Sequence, residues 1–140
     1  MMVGIVVVSH SASLARGVAE LAGQMAGPDV PIEVAGGGPE GSLGSDEGLV
    51  RDAIRRADTG DGAIVLGDLG SAILTVRHVL EHEGNGHIRL VDAPLVEGAV
   101  AAAVVASMGS GLADVAQAAE EARGASKLKR EHGGHAAPGR

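Results

Sequence analysis

Four short β-rich runs, at residues 3–8, 30–35, 62–66 and 87–91, are separated by stretches whose apolar residues recur at helical spacing. This alternation constrains the fold more than any other feature. Strand–helix–strand units wind into a parallel sheet with right-handed crossovers. The first and third runs, around Ile5-Val6-Val7-Val8 and Ala63-Ile64-Val65-Leu66, are almost continuously apolar, as strands covered on both faces must be. The chain contains no Phe, Tyr or Trp, so its core has to be filled by Val, Leu, Ile, Ala and Met. The expectation is an α/β domain with a parallel four-stranded sheet in the order 2-1-3-4, flanked by helices.

The intervening segments carry their own punctuation. Leu14, Val18, Leu21 and Met25 form a stripe on the first helix, which Gly27-Pro28 stops. The second helix opens at Ser45-Asp46-Glu47, a capping sequence, and presents Val50, Ala53, Ile54 and Ala57 to the core. A third aligns Ala72, Ile73, Val76, Val79 and Leu80 and ends before Gly84-Asn85-Gly86. After the fourth run, Ala93-Pro94-Leu95-Val96-Glu97 leads into an Ala/Val-rich helix reaching residue 108. Gly109-Ser110-Gly111 breaks it, and another helix spans 112–122. The small residues of this hairpin permit close packing, on the sheet or against a second copy, and the expectation is a homodimer. Residues 1–125 read as one domain. Residues 126–140, rich in Lys, Arg, Gly and His with no apolar period, read as a disordered tail.

Several function classes are excluded at once. Without cysteine there is no disulfide and no thiolate nucleophile. A formal charge of −7 and the lack of aromatic rings argue against nucleic acid. The longest apolar stretch, 99–108, falls far short of the ~20 residues of a membrane span, and the start lacks the basic region of a signal peptide. A soluble, cytoplasmic protein is expected. The only lysines are Lys127 and Lys129, so no P-loop lysine site lies in the body of the domain.

Two strand ends carry the chemistry. The first run leads into Ser9-His10-Ser11 and a helix; the third leads into Gly67-Asp68-Leu69-Gly70-Ser71 and another helix. In the order 2-1-3-4 these ends flank the switch point where open sheets bind ligands. For His10 two accounts stand: a polar strand end that, with Ser9 and Ser11, caps a helix, or a nucleophile attacking phosphorus. In the second account Asp68 accepts a bond from the other ring nitrogen, fixing its tautomer. Asp68 has a plainer account as an N-cap. Leu69, Gly70 and Ser71 can offer backbone N–H groups to a phosphoryl group at a helix start.

Other motifs carry less. Gly36-Gly37-Gly38-Pro39-Glu40-Gly41 matches G-x-G-x-x-G, but it follows the second strand and contains a proline. It reads as a mobile loop beside the crevice, with Ser42 and Ser45 in reach of a partner or phosphoryl group. His78 and His82, four apart, read as a solvated helix face rather than a metal pair. Glu97 suits the first turn of the fourth helix.

Together, Ile5–Ser11 with Leu14-Ala15-Arg16-Gly17, Gly67-Asp68-Leu69-Gly70-Ser71-Ala72 and Ala93-Pro94-Leu95-Val96-Glu97-Gly98-Ala99 resemble the DhaM family. These are phosphocarrier subunits of phosphoenolpyruvate-dependent dihydroxyacetone kinases, similar to mannose-type IIA domains of the sugar phosphotransferase system. The resemblance covers residues 3–122. It implies that His10 is the phosphorylated histidine and that Asp68 pairs with it; from their places at the two helix starts, Ser11, Leu69, Gly70 and Ser71 are the residues expected to bind the phosphoryl group. It further implies HPr as donor, ADP on the DhaL subunit as acceptor, DhaK as the holder of dihydroxyacetone, and a homodimer; separately, no cofactor or metal is expected on this chain. The glycine loop departs from the family pattern: Gly38 stands in place of a threonine and Ser45-Asp46 in place of Thr-Ser, leaving fewer hydroxyls and one added negative charge. Some relatives continue into HPr-like and enzyme-I-like domains, which this sequence lacks, so separate carriers are expected to supply the phosphoryl group. A sugar-transport IIA domain and a non-enzymatic regulatory α/β domain are the competing readings.

Overall fold

The computed structural model describes residues 1–83 and 86–128. In chain order its elements are β1 (Gly4–Ser9), α1 (Ala12–Ala26), β2 (Ile32–Gly36), α2 (Glu47–Ala57), β3 (Ala63–Gly67), α3 (Gly70–Glu83), β4 (Ile88–Leu90), α4 (Leu95–Ser107) and α5 (Leu112–Glu121). Short 3-10 turns occupy Pro39–Gly41 and Ala122–Gly124. All strands are parallel, in the order β2-β1-β3-β4, as the alternation of elements requires. Strand β2 begins later than its apolar run. Pro31 has no N–H for a ladder, although its carbonyl accepts from the Ile5 N–H at 2.8 Å.

Side-chain alternation along β1 divides the core in two. Val3, Ile5 and Val7, with Ile64 and Leu66 of β3, belong to the layer packed under α1, α4 and α5. Val6 and Val8, with Ala63 and Val65, belong to the layer under α2 and α3. The crossovers through α1 and α2 therefore lie on opposite faces. A crevice is left above the carboxyl ends of β1 and β3.

The stripe read along α1 needs correction. Of Leu14, Val18, Leu21 and Met25 only Val18 is buried, and Ala15 and Ala22 take the other core-facing positions. The cause is the alanine face of α4. Ala99, Ala102, Ala103 and Ala106 bring the two helices so close that only small side chains fit between them. The same residues, with Val115, Ala116 and Ala119 of α5, bury most of the hairpin's small apolar surface inside the chain itself. What stays exposed is Leu14, Leu21 and Met25 on α1, with Val96 and Met108 at the ends of α4.

No helix among the described residues is long and apolar enough to cross a membrane. Of the expected tail, Lys127 is tied to Glu97 of α4 at 2.6 Å. Residues 129–140, and Gly84-Asn85 after α3, lie outside the described residues.

Candidate active site

The ladder pairs Val8 with Gly67, so the residues that follow, Ser9-His10 and Asp68, emerge side by side at the switch point. The Asp68 N–H donates to the Val8 carbonyl at 3.2 Å and locks the two crests together. From the β2 side, Gly37 donates its N–H to the Ser9 carbonyl at 2.9 Å and Gly44 donates to the His10 carbonyl at 3.1 Å. The glycine loop thus holds the backbone of His10. At its root, a Cβ on Gly36 would sit 2.7 Å from the Ala12 Cα and 2.9 Å from the Ala15 Cβ. Only glycine lets β2 come so near the start of α1.

Asp68 gathers four hydrogen bonds. Its Oδ2 accepts from the Ser9 hydroxyl at 2.9 Å and the His10 N–H at 3.0 Å. Its Oδ1 accepts from the His10 ring at Nδ1, at 2.9 Å, and from the Leu69 N–H at 2.8 Å. A carboxylate offers about four acceptor positions, and here all are filled. Partial burial pushes the Asp68 pKa up, but the His10 amide, the His10 ring, the Ser9 hydroxyl and the Leu69 amide outweigh it. The carboxyl is held below its usual range. An ionised carboxylate only accepts, so the His10 proton sits on Nδ1 and the lone pair on Nε2. That lone pair accepts from the Ser71 hydroxyl at 2.5 Å. The His10 side chain remains 24% exposed, so the ring is anchored on one edge and open to solvent on the other.

Ser71 and Gly70 stand in the first turn of α3, before the first helical bond, from the Ile73 N–H to the Leu69 carbonyl at 3.2 Å. A Cβ on Gly70 would meet open space. Leu69 turns its N–H back to Asp68. Ser11 is the N-cap of α1, its Oγ accepting from the Leu14 N–H at 3.2 Å. In the glycine loop the Ser42 hydroxyl donates to the Pro39 carbonyl at 2.8 Å. Asp46, read as an added repulsive charge, caps α2 by accepting from Gly48 and Leu49.

His78 bonds through Nδ1 to the Glu47 carboxylate at 2.6 Å, and His82 donates from Nδ1 to the His78 carbonyl at 2.9 Å. Among the described residues no group of three or more His, Asp or Glu is placed to hold a metal ion. Glu97 is paired with Lys127, whose hydrogen bond and charge hold its carboxyl low. Sequence reading gave Ser9 a share in capping and missed its bond to Asp68. The available signal was its parity: Ser9 continues the alternation of Ile5 and Val7, which turns a polar side chain inward at the end of a buried strand.

The switch point of this parallel α/β sheet thus holds an imidazole oriented by a carboxylate beside a helix start. The chain belongs to the EIIA-man family, the PTS system fructose IIA component, whose sequence model matches residues 4–116. Within it the chain is similar to phosphoryl donor subunits, DhaM, of PEP-dependent dihydroxyacetone kinases. It is 40% identical over 136 residues to the subunit from Escherichia coli (strain K12), a match covering 93% of this chain and 28% of that protein. It is 38% identical over 106 residues to a subunit of dihydroxyacetone kinase 2 from Listeria innocua serovar 6a, covering 74% of this chain and 85% of the relative. The chain thus spans little more than a quarter of the E. coli protein and most of the Listeria one. A crystal structure described as that of a protein of unknown function superposes with a TM-score of 0.78 at 35% identity, covering 94% of this chain and all of that one. A sigma-54 interaction domain protein from Enterococcus faecalis shares the fold, with a TM-score of 0.63 at 20% identity.

Proposed function

We propose that this chain is the phosphoryl carrier of a dihydroxyacetone kinase system, taking a phosphoryl group from phospho-HPr onto His10 and passing it to ADP held by DhaL, with dihydroxyacetone on DhaK. The observation that carries the reading is the His10 ring itself. Asp68 holds its Nδ1–H while the Nε2 lone pair points at a hydroxyl on the first turn of a helix. The kinship with DhaM subunits favours dihydroxyacetone over a sugar as the final acceptor.

The Nε2 lone pair attacks the donor's phosphorus. An N–P bond forms as the donor's N–P bond breaks, and that electron pair returns to the donor imidazole. No proton need leave Nε2. Ser71 turns its hydroxyl from Nε2 to a phosphoryl oxygen, and the N–H groups opening α3 favour the anion. Asp68 offsets the positive charge that the ring acquires. In the second step a terminal oxygen of ADP attacks the same phosphorus, the Nε2–P bond breaks, and the ring is again neutral with its proton on Nδ1. The acceleration comes from positioning and electrostatics, as is usual for phosphoryl transfer.

The carrier works in the cytoplasm, where its proposed partners are, and as a homodimer that covers the exposed apolar residues of α1 and α4. The first test is intact mass after incubation with phosphoenolpyruvate, enzyme I and HPr. The expected result is one acid-labile, alkali-stable phosphoryl group on the wild type, discharged by DhaL with ADP, and none on His10→Ala. Uptake by His10→Ala, or no uptake by the wild type, overturns the reading.

A further inference from the structure

We infer that Ser9 is a positioning residue for this transfer: its buried hydroxyl holds the Asp68 carboxylate in the orientation that fixes the His10 tautomer and aims Nε2 outward. The inference rests on the proposed role of His10. Among the described residues Ser9 is the one fully buried polar residue, only 1% exposed. Its hydroxyl has a single proton. The oxygen accepts the Ser11 N–H at 3.0 Å, and the proton goes to Asp68 Oδ2 at 2.9 Å.

The direction of that proton matters because nothing local fixes the plane of an aspartate. The torsion about its Cβ–Cγ bond is broad and roughly twofold, so the plane is set by whatever bonds its two oxygens. On Oδ1 both donors lie next to the reacting centre: the His10 ring, which must accept charge, and the Leu69 amide. On Oδ2 the donors are the His10 amide and the Ser9 hydroxyl. Ser9 is the only one of the four donors contributed by neither the reacting histidine nor Leu69, the neighbour of Asp68 in the chain. It also links Asp68, just past the end of β3, through the Ser11 N–H to the cap of α1. In the low-dielectric end of a buried strand such a bond is stronger than at the surface.

Removing the hydroxyl leaves Oδ2 with the His10 N–H alone, so the carboxylate plane is held less firmly and the Nδ1–H form of the ring is less strongly favoured. The test compares Ser9→Ala, which lacks the donor, with Ser9→Thr, which keeps it. Nitrogen-15 NMR of the His10 ring should show the Nδ1–H tautomer in the wild type, a shift towards Nε2–H in Ser9→Ala, and recovery in Ser9→Thr. Turnover should fall about 10-fold in Ser9→Ala with the KM for phospho-HPr unchanged, the size seen for partners that orient a ligating histidine, and Ser9→Thr should restore it. If Ser9→Ala does not fold, Ser9→Cys, a near-isostere with a weak donor, takes its place. A folded variant whose ring tautomer stays as in the wild type overturns the inference, even if transfer slows. The NMR measurement needs no partner protein, so a wild-type chain that takes up no phosphoryl group overturns the proposed function while the tautomer judges Ser9 separately.

Discussion

Asp68 gives the site a signature that can be measured without any partner. Its carboxyl is held below the ordinary value of 3.8 in the fold, so the native state binds that proton less readily than the unfolded chain. The resulting stability is complete above the unfolded value and is lost as pH falls through the lower folded one. Urea titrations should therefore show the wild type losing more stability than Asp68→Asn on going from pH 6 to below about pH 4. Equal losses would mean that the four hydrogen bonds do not favour the charged form. For transfer, Asp68→Ala should remain folded and slow phosphorylation of His10 by about 10- to 100-fold. Wild-type rates would reduce Asp68 to a cap. Ser71→Ala tests the other edge of the ring. Losing a hydrogen bond to a charged group costs about 1.5–3 kcal/mol, so rapid-quench transfer should slow by about 10- to 150-fold.

Loops and helix starts carry these residues, and their placement depends on close approaches that few side chains allow. The one beside the site is Gly36, where β2 ends against α1. Its added Cβ would meet the Ala12 Cα, the Ala15 Cβ and the Ser11 carbonyl, at 2.7, 2.9 and 3.1 Å. Two of those atoms are backbone and cannot swing away. Gly36→Ala should cost about 1–3 kcal/mol in denaturant unfolding, the range for an overpacked core, and should also slow phosphorylation by displacing the loop that bonds His10. An unchanged midpoint would show that the contact has slack. The glycine run was legible as a loop beside the crevice. Its bonds to the Ser9 and His10 carbonyls were not, because they join backbone groups whose meeting depends on the β1–β2 register.

Exposed apolar side chains and the acidic balance bear on assembly and encounter. Leu14, Leu21 and Met25 on α1, Val96 on α4 and Met108 just past its end remain exposed, and an isologous dimer would bury such residues. Sedimentation velocity at micromolar concentration should give a dimer, and Leu21→Asp a folded monomer; a monomeric wild type removes the dimer. Encounter with a basic partner face should weaken with salt. Of the acids in and beside the glycine loop, Glu40, Asp46 and Glu47, Asp46 is engaged as a cap, and Glu47 faces His78 and, at 3.9 Å, Arg51. Glu40, exposed at φ 56° in the turn, is left as the main contributor. Glu40→Gln should lower the association rate about twofold at low salt and flatten its salt dependence, while salt-independent wild-type kinetics would remove steering altogether.

Strand number, their parallel sense and the two crests bearing His10 and Asp68 were all readable from periodicity and punctuation, because a strand buried on both faces must be apolar throughout and must end in polar residues. Helical periodicity misjudged α1. It registers which residues are apolar, whereas the identity of the buried face depends on the alanines of α4, some eighty positions away, which admit Ala15 and Ala22 and turn the leucines outward. The same holds at the site. His10 and Asp68 were visible as types at strand ends, but the pairing of Val8 with Gly67 brings Asp68 within 2.9 Å of the ring and buries the Ser9 hydroxyl against it. Hydrogen bonds between residues nearly sixty positions apart leave no local pattern in the chain; they exist because two parallel strands stop at the same height.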